Sequence, residues 1–202
     1  MKLKEQGVSL VITVDCGTTA FAPLAAAAEA GLDVIVVDHH VAEPELPQAV
    51  AVVNPNRLDE TSPVGQLCAA GVTFLVIIAV NRALRDAFWY GEGHNEPQLM
   101  AWLDLVALAT VADVVPLTGV NRALVRQGLA IMGQRGNPGI TALADMARLE
   151  NKPEAWHLGF MLGPRVNAGG RVGEAGLGVQ LLTTTDTDAA TGIALRLDQY
   201  SP

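Results

Sequence analysis

The sequence predicts an α/β fold, with a parallel sheet flanked by helices and a mostly helical region after it. Short apolar runs without helical periodicity alternate with an alanine-rich helical segment up to residue 53. Such runs are typical of strands that are buried on both faces of a parallel sheet. Helical patterns dominate the remainder, and hydrophobic residues make up 50% of the chain, which is enough for a packed core.

Three buried strands are predicted, at Ser9–Val14, Asp33–Val37 and Ala49–Val53. Between the first two strands, a helix over Ala20–Ala30 ends at Gly31, a residue typical of helix C-termini. Because a helix connects these strands, we expect them to be parallel and to lie side by side.

The later segments are predicted to be helical, at Ala69–Ala87, Leu99–Thr110, Asn121–Gly133, Ile140–Leu149 and Thr187–Tyr200. A polar loop over Glu92–Gln98 separates the first two of these helices, and the glycine-rich segment Gly163–Gly178 is predicted to be irregular. We therefore place a catalytic domain over residues 1–150. Residues 151–202 are predicted to form a glycine-rich segment and the start of a connecting helix.

Composition narrows the class of protein. The net charge of −8 argues against a basic protein that coats nucleic acid, although divalent cations can supply positive charge locally. The two cysteines, Cys16 and Cys68, are too few for a disulfide framework and fit a reducing compartment. The longest uncharged apolar run, Leu67–Val80, is shorter than the roughly 20 residues of a membrane span. We expect a soluble, cytoplasmic protein.

Candidate ligands follow two of the predicted strands. Asp15 comes directly after the first strand, and the Asp38–His40 triplet comes directly after the second. Parallel neighbours lie about 4.8 Å apart and end at the same edge of the sheet, where α/β proteins bind ligands. Carboxylates and imidazoles together suit Mn²⁺, Mg²⁺ or Zn²⁺. An aspartate after a strand is also a common turn residue and paired histidines are common on surfaces, so the pattern alone leaves both interpretations open.

Two further segments carry candidate residues. Asp113 lies in the largely apolar segment Leu103–Leu117, where a carboxylate needs a partner or a cation, or simply ends a helix. The segment Gly163–Arg171 holds two arginines and an asparagine among glycines that let a ligand approach the backbone. A flexible connector with solvated arginines is the alternative interpretation.

Four segments together carry a resemblance to a known family. They are Val14–Gly17 (VDCG), Val37–His40 (VDHH), Ala109–Leu117 (ATVADVVPL) and Pro164–Arg171 (PRVNAGGR), in this order. In this combination the chain resembles the DHH phosphoesterase superfamily, and within it the bacterial 5′→3′ exonucleases that act on single-stranded DNA in recombination and repair.

The resemblance implies hydrolysis of phosphodiester bonds with two Mn²⁺ or Mg²⁺ ions. It assigns Asp15, His39 and Asp113 as metal ligands. His40 is expected to contact the scissile phosphate or complete a ligand shell, and Asp38 is expected to orient its neighbours.

The resemblance further implies that Arg165, Asn167 and Arg171 hold phosphates of single-stranded DNA. Two other functions remain open at this point. One is a nano-RNase or pyrophosphatase-like phosphoesterase, and the other is a non-catalytic interaction fragment.

The chain departs from the family pattern in one motif. Family members carry an Asp-x-Asp metal motif on a strand before the first one present here. The only such triplet, Asp186–Asp188, is predicted to cap the last helix instead. We therefore expect an incomplete catalytic domain that lacks this strand and the family's C-terminal domains. An exposed sheet edge of this kind favours self-association.

Overall fold

The computed structural model describes residues 2–201. The chain divides into two compact units between Glu96 and Pro97. The sequence places a boundary after residue 150 instead. The chain does not divide near residue 150 in the structure, because Pro138–Met146 and Thr187–Tyr200 pack together in one helical core.

The first unit holds the sheet. Its elements are α1 (Lys2–Glu5), β1 (Leu10–Val14), α2 (Phe21–Glu29), β2 (Asp33–Val37), β3 (Ala51–Val53) and α3 (Ala69–Asp86). The strands lie in the order β1-β2-β3 and all pairs are parallel, with Leu10 opposite Asp33 and Ile35 opposite Ala51. The predicted fold class is confirmed. The short helix α1 was not predicted.

Strand β2 lies at the centre of the sheet and of the core of this unit. Val34 and Val36 of β2 pack with Leu24 and Ala27 of α2 and with Val52 of β3. Helix α2 covers this face because its alanines allow close packing on β-branched side chains.

Strand β1 is less buried than the sequence predicts. Leu10, Ile12 and Val14 are 48%, 57% and 47% exposed. The prediction of a buried strand is wrong here because β1 forms an edge of the sheet among residues 2–201.

The second unit is helical. After a 3₁₀ turn over Leu99–Trp102 it contains α4 (Leu103–Ala112), α5 (Gly119–Met132), α6 (Pro138–Met146), α7 (Ala155–His157), a π-helical turn (Leu158–Leu162), α8 (Gly163–Arg171), α9 (Gly176–Thr183) and α10 (Thr187–Tyr200). Leucines from several helices, among them Leu143, Leu158, Leu162, Leu181 and Leu197, are fully buried in its core. A Cβ atom at Gly128 would clash with the Leu103 carbonyl, so this glycine lets α5 approach α4 closely.

The glycine-rich segment Gly163–Gly178 is not irregular, and this prediction is wrong. It forms α8 and the start of α9. A Cβ atom at Gly178 would lie 3.1 Å from the Val166 carbonyl oxygen, and one at Gly169 would lie 2.7 Å from the Glu174 carbonyl oxygen. These glycines therefore allow tight helix packing rather than break the helices.

The predicted cap of the last helix is confirmed. The Asp186 carboxylate accepts hydrogen bonds from the backbone N–H groups of Asp188 and Ala189, at 2.8 and 3.1 Å. Across residues 2–201, no helix combines the length and the apolar character needed to cross a membrane.

Candidate metal centre

Asp15 is held at the carboxyl end of β1 by an unusual backbone geometry. Its φ angle is +65°, in the left-handed region, and its N–H donates to the Val37 carbonyl at 3.0 Å. Gly17 follows with a φ angle of +121°, and a Cβ atom there would lie 2.9 Å from Thr13 Oγ1. The turn thus requires glycine at position 17, and it places the Asp15 side chain beside the end of β2.

One carboxylate and two imidazoles meet at this edge of the sheet. Asp15, His39 and His40 each offer one ligand atom, and these atoms lie within 4.8 Å of one another. The closest pair joins His39 Nε2 to Asp15 Oδ1, at 3.2 Å. The sequence-based expectation that Asp15 and the paired histidines lie together thus agrees with the geometry.

A backbone carbonyl fixes the orientation of the His39 ring. His39 Nδ1 lies 3.1 Å from the Leu67 carbonyl oxygen, which only accepts hydrogen bonds. Nδ1 is therefore the donor of this hydrogen bond, and Nε2 is the ring nitrogen that faces the Asp15 carboxylate. The donor set of carboxylate oxygen and imidazole nitrogen fits Mn²⁺.

Asp38 is the buried anchor of the site. The residue is 1% exposed, and its carboxylate accepts hydrogen bonds from the N–H of Thr18 at 3.0 Å and the N–H of His39 at 2.8 Å. The Nδ1 atom of His40 lies 2.7 Å from the same carboxylate. Burial acts to raise the pKa of Asp38, but the hydrogen bonds from Thr18, His40 and His39 outweigh it and hold that pKa well below its ordinary value. Asp38 is therefore ionised and fixes the ring of His40.

Three polar residues that the sequence analysis missed support the site. Asn54 Nδ2 donates to Thr18 Oγ1 and to the His40 carbonyl, both at 2.8 Å. Asn56 Nδ2 donates to the His39 carbonyl at 2.6 Å. The sequence did contain a signal for them, because Asn54 directly follows β3 and Asn56 comes two residues later, just as Asp15 and Asp38 follow their own strands.

Asp113 belongs to the second unit. It is exposed and ends α4, where its N–H donates to the Ala109 carbonyl at 2.9 Å. Val114, directly after it, has a φ angle of +58°, which is rare for a β-branched residue. The role of Asp113 as a metal ligand stays a prediction.

The three predicted phosphate-binding residues lie on α8 and differ in their surroundings. Arg165 donates to Asp198 Oδ1 at 2.7 Å and to the Met161 carbonyl at 2.8 Å, so its guanidinium is engaged within the helical core. Asn167 and Arg171 are exposed and lie one turn apart on the same side of the helix. Their contacts with substrate remain predictions.

The fold and the site together indicate the class of protein. An α/β domain that gathers a carboxylate and two oriented imidazoles at the carboxyl edge of a parallel sheet is typical of metal-dependent hydrolases. The model of the DHH family, N-terminal domain, matches residues 2–110. The chain therefore belongs to the DHH family, as its four motifs predict.

Curated relatives agree with this assignment. The chain is 42% identical over 198 residues to the single-stranded-DNA-specific exonuclease RecJ of Salmonella typhimurium (strain LT2) and covers 34% of that protein. It is 36% identical over 200 residues to the RecJ of Bacillus subtilis (strain 168), of which it covers 24%. These alignments include 96% and 98% of the chain. The chain thus spans about a third or less of the length of these relatives.

Solved structures show the same fold. A crystal structure of exonuclease RecJ bound to manganese superposes with a TM-score of 0.82 at 33% identity, over 100% of this chain and 49% of that one. RecJ from Thermus thermophilus in complex with Mn²⁺ gives a TM-score of 0.82 at 34% identity, over 99% of this chain and 28% of that one. These similarities confirm the predicted resemblance.

Proposed function

We propose that the chain is the catalytic core of a metal-dependent 5′→3′ exonuclease that hydrolyses single-stranded DNA in recombination and repair. The convergence of Asp15, His39 and His40 at the sheet edge carries this proposal. RecJ relatives support it, because single-stranded-DNA-specific exonuclease is the activity in their names and Mn²⁺ is present in their structures.

Asp15 and His39 are the proposed ligands of Mn²⁺ or Mg²⁺ in the first unit. Asp113, in the second unit, is a proposed metal ligand on the strength of its motif. When bound, such an ion acts as a Lewis acid on the phosphoryl group and activates water. Asp15 contributes a carboxylate at 61% side-chain exposure, which leaves it open to an incoming ion. His39 contributes Nε2, because its Nδ1 is held by the Leu67 carbonyl.

His40 is the proposed contact to the scissile phosphate. Asp38 holds its Nδ1, so that Nε2 is the nitrogen presented to a ligand at the sheet edge. The His40 side chain is 61% exposed, whereas that of Asp38 is 2% exposed. Asp38 therefore acts on substrate only through the ring that it orients.

Arg171 and Asn167 are the proposed contacts to substrate phosphates. Both lie on the exposed side of α8, and the Arg171 guanidinium group makes no hydrogen bond or ion pair with the described part of the chain. Arg165 is instead proposed to hold α8 against α10 through Asp198.

The function is tested with the purified protein. A 5′-phosphorylated single strand, a duplex, a dinucleotide and pyrophosphate are incubated with Mn²⁺. Release of mononucleotides from the 5′ end of the single strand alone is expected, with at least ~100-fold loss in His39→Ala. Turnover of the dinucleotide or pyrophosphate alone would indicate the other phosphoesterases. Binding of DNA without cleavage would indicate a non-catalytic domain.

We also propose that the chain self-associates through the edge of β1. The support is the alternating exposure of Leu10, Ile12 and Val14 on an edge strand. Light scattering of the purified chain is expected to show dimers or larger species, and Ile12→Lys is expected to shift them toward monomer. A monodisperse wild-type monomer at all concentrations would contradict this.

A further inference from the structure

The second unit contains a segment whose charge is opposite to that of the whole chain. The net charge is −8, yet residues 114–144 hold three arginines and no acidic residue. Helix α5 lies within this segment and carries two of the three, Arg122 and Arg126. The third, Arg135, pairs with Asp145 at 2.6 Å.

Arg122 and Arg126 have no counterion within the described part of the chain. Both side chains are exposed, and neither guanidinium group makes a hydrogen bond or an ion pair with residues 2–201. By contrast, six other arginines form ion pairs with carboxylates, namely Arg57, Arg82, Arg85, Arg135, Arg165 and Arg196. Two unpaired guanidinium groups four residues apart face the same side of a helix, one turn from each other.

The buried side of α5 fixes this orientation. Asn121, Val125, Gly128 and Met132 face the core at helical spacing. Because a Cβ atom at Gly128 would collide with the Leu103 carbonyl, α5 runs back along α4 in an antiparallel hairpin. The first turn of α5 therefore lies beside the last turn of α4, the end that carries Asp113.

The loop that joins the two helices is also held in place. Asn121 is fully buried, and its Nδ2 donates to the Pro116 carbonyl at 3.0 Å. This bond fixes the short connection from Asp113 to the start of α5. Arg122 lies in this first turn of α5, and Arg126 lies about 6 Å further along the helix axis.

We propose that Arg122 and Arg126 bind consecutive phosphates of the single strand beyond the one that is hydrolysed. This inference rests on the proposed function and extends it to the substrate path. Guanidinium groups bind phosphate through paired N–H donors, and one helical turn matches the spacing of neighbouring phosphates in an extended strand. A strand whose end is bound near Asp113 would then continue along the exposed side of α5.

The test compares Arg122→Ala/Arg126→Ala with Arg82→Ala/Arg148→Ala in the purified protein. The control removes the same charge from exposed positions outside α5. Steady-state cleavage of a 5′-phosphorylated 20-mer and of a dinucleotide is measured with Mn²⁺ between about 50 and 200 mM KCl. The dependence of KM on salt reports the number of phosphate contacts, at about −0.7 in the log–log slope per contact for single strands.

For the α5 variant we expect KM for the 20-mer to rise about tenfold and the magnitude of the salt slope to fall by about 1.4, which is about 0.7 for each of the two lost contacts. We expect kcat, dinucleotide cleavage and the far-ultraviolet circular dichroism to match wild type, because both side chains are exposed. The control variant should change KM less than twofold. An α5 variant whose KM and salt slope equal those of the control would overturn the proposal while leaving the proposed function intact. A wild-type protein that neither binds nor cleaves the 20-mer would overturn both.

Discussion

The Nδ1 atom of His40 lies 2.7 Å from the Oδ1 atom of Asp38, a residue that is 1% exposed. An exposed imidazole is thus tied to a buried charge that also accepts backbone hydrogen bonds. Histidines that bind metals commonly donate their second ring nitrogen to a carboxylate in this way. The pair therefore couples the stability of the first unit to the geometry of the candidate site.

The change Asp38→Asn is expected to destabilise the protein by about 2 kcal/mol or more, because an amide replaces an ionised acceptor that holds several buried donors. Urea unfolding followed by circular dichroism measures this loss. Asp33→Asn, at the exposed start of the same strand, serves as the control and is expected to change stability by less than about 0.5 kcal/mol. Equal midpoints for the two variants would show that Asp38 does not anchor the site.

Asp104 predicts a pH dependence of the unfolding free energy. It is 3% exposed, and burial raises its pKa above the ordinary value, only partly opposed by a hydrogen bond from the Leu105 N–H. Its stabilising contribution is therefore fully present below the ordinary carboxyl pKa and is lost as the pH rises through the raised value. Asp104→Asn should be more stable than wild type at about pH 7, and the difference should vanish near pH 3. A pH-independent difference in unfolding free energy would contradict this.

Gly17 is expected to be required in the turn after β1, and Gly170 in α8 provides a control for replacing glycine by alanine. Gly17→Ala places a Cβ atom 2.9 Å from Thr13 Oγ1 at a φ angle of +121°, so a loss of about 2 kcal/mol or more is expected. Gly170→Ala lies in a helix with open space around it and is expected to be neutral or to stabilise by up to about 1 kcal/mol. Thermal unfolding measures the stability of both variants relative to wild type. A Gly17→Ala protein as stable as wild type would contradict the constrained turn.

Arg165 and Arg171 are expected to differ in function although both lie on α8. Arg165→Gln breaks a partly exposed ion pair with Asp198 and should lower the unfolding free energy by about 1 kcal/mol. Arg171→Gln should leave stability unchanged and raise KM for single-stranded DNA about tenfold. Unfolding and kinetic measurements on both variants test whether Arg165 stabilises the fold and Arg171 binds substrate. An Arg165→Gln protein with unchanged stability and a raised KM would show that Arg165 binds substrate instead.

Much of the sheet could be predicted because parallel strands have a strong local signature. Asp33–Val37 has the predicted bounds, and the position of Asp15 beside the Asp38–His40 triplet follows from the crossover through α2. The exposure of β1 does not follow from its own residues, and an exposed sheet edge was expected only from the resemblance to the family. A run of apolar residues does not reveal whether another strand lies beside it.

The supporting residues of the site depend on contacts between distant segments. Asn54 reaches Thr18 across 36 positions of sequence, and no local pattern predicts that hydrogen bond. The helical structure of Gly163–Gly178 was missed for a related reason. Glycine lowers helix propensity locally, yet at Gly169 and Gly178 close tertiary packing requires it.

Calorimetric titration of the chain with Mn²⁺ tests the candidate metal centre most directly. Wild type is compared with Asp15→Ala/His39→Ala and with Asp33→Asn/His94→Ala, which removes one carboxylate and one imidazole of the same unit from outside the cluster. Binding is expected in wild type and in the second variant, and its loss is expected in the first. Unchanged Mn²⁺ binding by Asp15→Ala/His39→Ala would contradict the assignment of the metal site to this edge of the sheet.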